Sequence, residues 1–360
     1  MASFGDLLRL ARHYRGFTQI ESAKRMGIAQ AVFSRMENDL LEIDSSTKAK
    51  AAQVFDVPES FFEIADPVYG PPVSVHTMLR GKKSEVSARD VDAVTAELNL
   101  RLVHLRRFLE NVDYSPATDI PRLDVEQYGS VSKIAATVRA HWKVSSGPIK
   151  NLTRLLERAG VIIGDSEFAG AAISGVTFAA PGRAPIVLVN RHHPADRLRF
   201  TLAHELGHLV MHRFPTANME EEANQFASAF LFPPNEAVSV FRGRKVTLEL
   251  LASLKLEWRM SMASLLMAAQ TAKPLNENQS RYLWAQFSAK GWRTSEPPTL
   301  DFPFDPPTVL PSIIRAHLDD LGFSMEELTK MSRLHLHDVI KMYGLLKEDE
   351  PTRPKLRIIS

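Results

Sequence analysis

His204, Glu205 and His208 stand in the order H-E-x-x-H, inside Thr201-Leu202-Ala203-His204-Glu205-Leu206-Gly207-His208-Leu209-Val210. On a helix, residues four apart share a face and lie about one turn from each other. The spacing therefore lets both imidazoles bind one Zn2+ while Glu205 projects beside the ion. There it can take a proton from bound water and pass it to a leaving amine. The five-residue pattern arises by chance in roughly a few per cent of chains this long, so its surroundings carry weight. A catalytic zinc site takes three protein ligands and keeps one position open. The chain has no cysteine, which leaves His or a carboxylate for the third.

Downstream, Met219-Glu220-Glu221-Glu222-Ala223-Asn224-Gln225-Phe226-Ala227 reads as a helix whose apolar face is Ala223, Phe226, Ala227 and Phe230. Glu220 precedes Ala223 by three and Asn224 by four, so it projects from that side, and Asn224 can hold a ligand in place one turn on. Glu222 competes for the ligand position because it stacks over Phe226, and Glu221 points away. Acidic residues also complement a helix N-terminus. That explains three glutamates there, but not their closeness to the histidine pair. Of the other histidines, His212 reads as a helix-end residue whose partial positive charge is favourable. His192-His193 read as a solvated loop or as a substrate-binding or oxyanion pair, and Arg197 and Arg199 as members of structural ion pairs rather than substrate contacts.

The elements that must hold these residues follow from periodicity and punctuation. The 360 residues, 44% apolar and 24% charged, allow two or three globular domains. Residues 1–64 are predicted all-helical. Residues 65–123 form a linker, with turn signals at Asp66–Pro72, and a connecting helix over 88–112, where Val91, Val94, Leu98, Leu102, Leu105 and Leu109 repeat near every 3.5 residues. That helix serves either packing or dimerisation. Residues 124–295 carry helices at 132–143 and 149–159, then short β-like runs at Val161–Ile163, Gly175–Ala180 and Pro185–Asn190. The H-E-x-x-H helix begins after Pro194. Residues 296–360 are a proline-rich connector, a helical pair at 309–320 and 324–345, and a charged tail from 347 expected to be mobile. The fold class is α+β overall.

Residues from about 130 to 295 resemble the ImmA/IrrE family of metallopeptidase-like proteins, a compact gluzincin-type domain with a small β-sheet. The matching stretches are Arg197–His208, Glu220–Ala227 and Leu231-Phe232-Pro233, with Gly147-Pro148-Ile149 and Ala159-Gly160-Val161 flanking a helix. The resemblance implies Zn2+ held by His204, His208 and Glu220, with Glu205 as the catalytic residue.

Residues 4–62 carry a second pattern, Thr18-Gln19…Ala23…Gly27-Ile28…Phe33-Ser34-Arg35-Met36-Glu37-Asn38. This resembles the lambda-repressor-like, or XRE-type, helix-turn-helix domain. Leu7, Leu8 and Ala11 are expected inside, as are Ile20, Ala23, Met26, Val32, Phe33 and Met36. By resemblance the third helix enters the major groove, with Gln30, Ala31, Ser34 and Arg35 facing bases and Gln19 on phosphate. Arg9, Arg12 and Arg15 are expected to add backbone charge. Asp39, Glu42, Asp44, Glu59 and Glu63 bring the module near neutrality, which weakens non-specific affinity. A single module binds weakly, so a homodimer on a two-fold operator is expected. Near the other end, Gly322-Phe323-Ser324…Lys330…Met342 echoes Gly16-Phe17-Thr18…Lys24…Met36 at equal offsets. Both a degenerate second helix-turn-helix and an ordinary helical hairpin fit it.

The net charge of +2 supplies no global basic field. Arg9, Arg12, His13 and Arg15 interrupt any signal-peptide pattern, and no apolar run approaches the ~20 residues that span a bilayer. A cytoplasmic protein without membrane contact is expected. The combined expectation is a DNA-binding, zinc-dependent regulatory endopeptidase acting in a stress or mobile-element response. Its substrate is a repressor-type regulator or the chain itself, in which case a cut in the 66–87 linker detaches the DNA-binding module. The alternative is a transcriptional regulator whose metallopeptidase-like domain senses a ligand or binds a partner without cleaving.

Overall fold

Ser3 and Thr18 each cap a helix reciprocally, with Asp6 and Glu21 three residues on, and these boxes set the starts of α1 (Phe4–Tyr14) and α2 (Gln19–Met26). Gly27, at φ 65°, closes α2 in the left-handed region and turns the chain into α3 (Gln30–Glu37). Asp44 caps α4 (Ser45–Val54), and a 3-10 turn follows at Glu59–Glu63. Leu7, Leu8, Ala11, Ala23, Met26, Phe33, Met36, Phe55 and Phe61 close a small core. Two residues expected in it are outside. Ile20 is 71% exposed, because the inward arc of α2 centres on Ser22, Ala23 and Met26, and Val32 is 39% exposed. The computed structural model describes residues 1–72, 87–168, 173–180, 182–272, 275–345 and 357–358.

The chain divides into two compact units. The first combines Met1–Ser115, Asp165–Ile173 and Thr308–Ser360; the second combines Pro116–Gly164 and Ser174–Pro307. The first is organised around α5 (Ala88–Phe108), capped by Ser87 and buried on all sides from Leu98 to Leu105. All-round burial marks a core helix rather than a one-sided dimer seam. Asp66 pairs with Arg106, and Asn99 exchanges two hydrogen bonds with the Tyr69 backbone, so the start of the expected linker lies against α5. The short strand β1 (Val112–Asp113) follows.

The second unit starts with α6 (Val125–Tyr128), α7 (Val131–His141) and α8 (Leu152–Arg158). Next come β2 (Ile162–Ser166), of which 162–164 belong to this unit, β3 (Gly175–Phe178) and β4 (Ile186–Asn190), in the order β2-β4-β3. β3 and β4 are antiparallel, with Gly175 opposite Val189 and Phe178 opposite Ile186. Central β4 is buried at every residue, which is why it reads as an unbroken apolar run rather than an alternation. The sheet supports α9 (Ala195–Met211), which packs on α10 (Met219–Leu231); α11 (Pro234–Phe241), α12 (Leu248–Trp258), α13 (Met262–Thr271) and α14 (Glu277–Ala289) complete the unit. Trp142 meets Phe230 edge-on at 5.9 Å, and Phe226 stacks on Phe230 at 5.5 Å, joining α7 to α10. The proline-rich connector is strapped to this unit: Arg199 and Arg259 both pair with Asp305, and Thr153 donates to the Asp305 carbonyl.

The chain then returns to the first unit through α15 (Val309–Arg315), a π turn at Ala316–Asp320, α16 (Met325–Ser332) and α17 (Leu336–Tyr343). The helix expected over 324–345 is thus two helices, because Arg333 adopts a left-handed φ of 55° and ends the first. β5 (Arg357–Ile358) pairs antiparallel with β1. The regions read from sequence as 1–64 and 296–360 therefore share one unit from Thr308 onward. Most of the 66–87 cleavage segment, residues 73–86, lies outside the described residues, as does the 347–360 tail except 357–358. No helix among the described residues is long and apolar enough to cross a membrane.

Candidate functional site

α9 is buried almost throughout, so the backbone that carries His204, Glu205 and His208 is held on several sides. At its first turn, Asp196 meets Lys255 at 2.5 Å, and Lys255 meets Glu296 at 2.8 Å. Burial alone disfavours the Lys255 charge, but the two carboxylates outweigh it and raise its pKa. Arg199 is buried too, and burial pushes its pKa down to about 10 against the pull of Asp305, so it remains a cation at neutral pH. Arg199 pairs with Asp305 at 3.1 Å, and the exposed Arg197 donates to Ser174 Oγ at 2.8 Å.

Two glycines let neighbouring elements approach the motif. A Cβ on Gly207 would lie 3.2 Å from the Phe226 ring and 3.3 Å from Ala223 Cα, so α9 and α10 touch backbone to backbone there. A Cβ on Gly175 would lie 2.5 Å from the Thr201 methyl, which brings β3 onto the same helix beside Glu205. Sequence reading did not single out either glycine. The signal was present, since Ala203 and Gly207 in one stretch, and Ala223 and Ala227 in the other, are small residues four apart.

That close approach brings Glu220 over the histidine pair. His204 Nε2 and His208 Nε2 are 3.0 Å apart; Glu220 Oε2 is 3.4 Å from the first and Glu220 Oε1 3.2 Å from the second. One ligand atom from each of the three lies within 4.8 Å of the others. Glu222, the competing candidate, accepts a hydrogen bond from His212 Nε2 at 2.9 Å. Glu221 points away and pairs with Gln225.

The far nitrogens of both histidines are held. His204 Nδ1 is 3.0 Å from Asn224 Oδ1, and His208 Nδ1 is 3.0 Å from His212 Nδ1. The carboxylate of Glu222 requires a proton on His212 Nε2, so in a neutral His212 Nδ1 accepts from His208 Nδ1. Both ligand histidines then carry their protons on Nδ1 and direct Nε2 lone pairs at one another and at a carboxylate. Such an apposition calls for a cation. Two nitrogens at ~2.0–2.1 Å from a tetrahedral Zn2+ stand about 3.3 Å apart, close to the spacings found here. The donor set fits zinc.

Burial opposes a charge on His204, but hydrogen bonding to Glu220 and the charge of Glu205 outweigh it and raise its pKa. His212 goes the other way: burial, aided by the neighbouring His208, lowers it. It is therefore not the positively charged helix-end residue expected from its position, but the middle of a His208–His212–Glu222 chain. Glu205 is 1% exposed, and its Oε2 has no hydrogen-bond partner among the described residues. Glu205 thus offers a buried acceptor oxygen beside the His204–His208–Glu220 cluster.

Residues 156–270 match the family of the IrrE N-terminal-like domain, peptidase family M78. The M78 match runs from within α8 to α13 and includes every residue of the His204–His208–Glu220 cluster. No curated protein matches the chain. The match suggests a metallopeptidase-like domain over those residues, and the donor set described above lies inside it.

In the first unit, Gln30, Ala31 and Arg35 are exposed on α3, and Ser34 is half-buried beside them. Gln19 donates to Glu37 Oε2 at 2.6 Å, and Gln30 donates to Gln19 Oε1 at 2.9 Å. Glu37 is buried and held by Arg12 at 2.6 Å, so a polar chain reaches from the core to the exposed face. The three arginines of α1 and its end, expected to add backbone charge, make contacts within the chain. Arg9 donates to the Glu37 carbonyl, Arg12 pairs with Glu37, and Arg15 with Asp338. Each satisfies a group that the helix packing would otherwise leave buried without a partner.

Proposed function

We propose that this protein is a DNA-binding, zinc-dependent regulatory endopeptidase. One observation carries the peptidase reading: His204, His208 and Glu220 converge beside a buried Glu205 carboxylate, within the M78-matching region. His204 and His208 offer Nε2, Glu220 offers a carboxylate oxygen, and Asn224 and His212 fix the two rings through Nδ1. A Zn2+ ion held by these three residues would polarise a scissile carbonyl and acidify water. Glu205 Oε2 accepts the proton of the attacking water and delivers it to the departing amine.

The DNA reading rests on the N-terminal helices. In the row Gln30, Ala31, Ser34 and Arg35, the exposed Gln30 and Arg35 are side chains of the types that pair with adenine and guanine edges, and Gln19 steadies Gln30 from the start of α2. A regulator that binds an operator and cleaves protein acts on a substrate of its own circuit: a repressor-type protein, or another copy of itself. Operator binding at a two-fold site requires a homodimer.

The test is N-terminal peptide profiling of cells that express the wild type or Glu205→Gln, with and without DNA-damaging stress. New N-termini seen only with the wild type identify the substrate. No difference in any condition, with zinc retained by both forms, points instead to a non-cleaving sensor or partner-binding domain.

A further inference from the structure

The helices at the C-terminal end repeat those at the N-terminal end. α16 starts 306 residues after α2 (325 less 19), and α17 starts 306 after α3 (336 less 30). The ends agree as well, Ser332 with Met26 and Tyr343 with Glu37. With the same offset, α1 falls on 310–320, covered by α15 and the π turn. Gly16 and Gly322 both have positive φ, at 64° and 70°. Thr18 caps with Glu21, and Ser324 with Glu327. Gly27 and Arg333 both end their helices in the left-handed region. Leu7, Leu8 and Phe33 are buried, as are their counterparts Ile313, Ile314 and Val339.

What differs is the chemistry of the surface. Residues 4–37 hold six basic and three acidic side chains; residues 310–343 hold four and five. The row Gln30, Ala31, Ser34, Arg35 becomes Leu336, His337, Ile340, Lys341. His337 Nε2 lies 3.3 Å from Asp56 and 3.5 Å from Asp338, and Lys341 lies 3.4 Å from Glu167. Acidic neighbours there oppose a phosphate backbone. The position of Val32, 39% exposed, is taken by Asp338, 4% exposed.

Asp338 is buried by the first copy. Arg15 reaches it with both terminal nitrogens, Nη1 to Oδ1 at 2.8 Å and Nη2 to Oδ2 at 2.6 Å, and Tyr14 donates to Oδ1 at 3.3 Å. Arg333 pairs with Glu63 at 3.1 Å. Both copies also lie on α5. His13 meets Asp92 near its start, while Arg101, His104 and Arg107 bond to the Met342, Ser332 and Met331 carbonyls further along.

We infer that residues 310–343 are a second copy of the N-terminal helix-turn-helix that has become its intramolecular partner, gripping it through the Arg15–Asp338 fork. These contacts lie within the chain alone, whether or not its N-terminal helices bind DNA. A single cut between 73 and 86 leaves the N-terminal helices held by the second copy, so cleavage there does not by itself release them.

The test places a recognition sequence for a site-specific protease within 73–86 of the full chain, cuts it, and follows the pieces by size-exclusion chromatography at low micromolar concentration. The cut wild type is expected to elute as one particle. Separate elution of the N-terminal piece overturns the inference. Asp338→Ala is expected to weaken retention about tenfold or more, because a charge-assisted fork is lost and Arg15 is left without its partner. Arg15→Met tests the contact from the other side, and the double variant is expected to be no weaker than the worse single one. Retention unchanged in both single variants, or additive losses in the double, overturns the role of the fork.

Discussion

At the residue scale the centre is defined by which nitrogen carries which proton. His204 and His208 present Nε2 because Asn224 and His212 occupy their Nδ1 atoms. Glu205 is a different kind of residue, buried yet outside the ligand set. Glu205→Gln is expected to keep zinc and lower peptide cleavage by roughly 10²–10⁴-fold, as for a lost general base; metal analysis and product profiling on one preparation check both. His204→Ala and His208→Ala are expected to lose the metal. His212→Ala removes no ligand but frees the far side of His208, and groups in that position affect zinc affinity by about 10–100-fold. Competition with a chelator measures it, and unchanged affinity would deny His212 an orienting part.

At the element scale the decisive feature is the contact of α9 and α10 at Gly207. Gly207→Ala gains about 1 kcal/mol of helix propensity, which offsets part of a close but tolerable overlap. Gly207→Val has no such compensation: its branched side chain drives into Ala223 Cα and the Phe226 ring. It is expected to cost about 1–3 kcal/mol and to carry Glu220 away from the histidines. Thermal unfolding with and without zinc separates the two effects, because a lost ligand also removes the stabilisation that zinc binding gives.

At the scale of the whole molecule, the first unit contains a pH sensitivity that its helices alone would lack. Burial pushes His104 down to about 3, and its neutral ring bridges the Tyr343 hydroxyl, which donates to Nδ1, and the Ser332 carbonyl, which accepts from Nε2. Burial, with Arg12 and Arg9 nearby, pushes His13 down to about 4. Both folded values lie below the ordinary 6.5, so the unfolded chain binds more protons between about 3 and 6.5. The stabilisation is whole above pH 6.5 and declines as the pH falls through that window. Protection of the α5 and α16 amides, taken relative to intrinsic exchange at each pH, is expected to fall on acidification from pH 7 to 5, and His104→Gln to flatten that dependence. An equal loss of protection in the variant would place the acid sensitivity elsewhere.

The local chemistry was legible in the sequence because it depends on short spacings. Histidines four apart share a helical face wherever the helix lies, and capping residues, turn glycines and the buried run of β4 act on their immediate neighbours. Glu220 was also within reach, since its offset from Ala223 and Asn224 places it on the helix's apolar side. Other features depended on contacts distant in sequence. Nothing near His212 indicates that it lies between His208 and Glu222, because that depends on how α9 meets α10. The inward turn of Arg9, Arg12 and Arg15, the outward turn of Ile20 and Val32, and the break at Arg333 follow from packing that local pattern does not encode. The echo between Gly16-Phe17-Thr18 and Gly322-Phe323-Ser324 was visible as spacing, yet so few matches are explained more simply by an ordinary hairpin. Only tertiary structure brought residues 15 and 338 together, where a buried carboxylate requires a cation and thereby sets the two copies against each other.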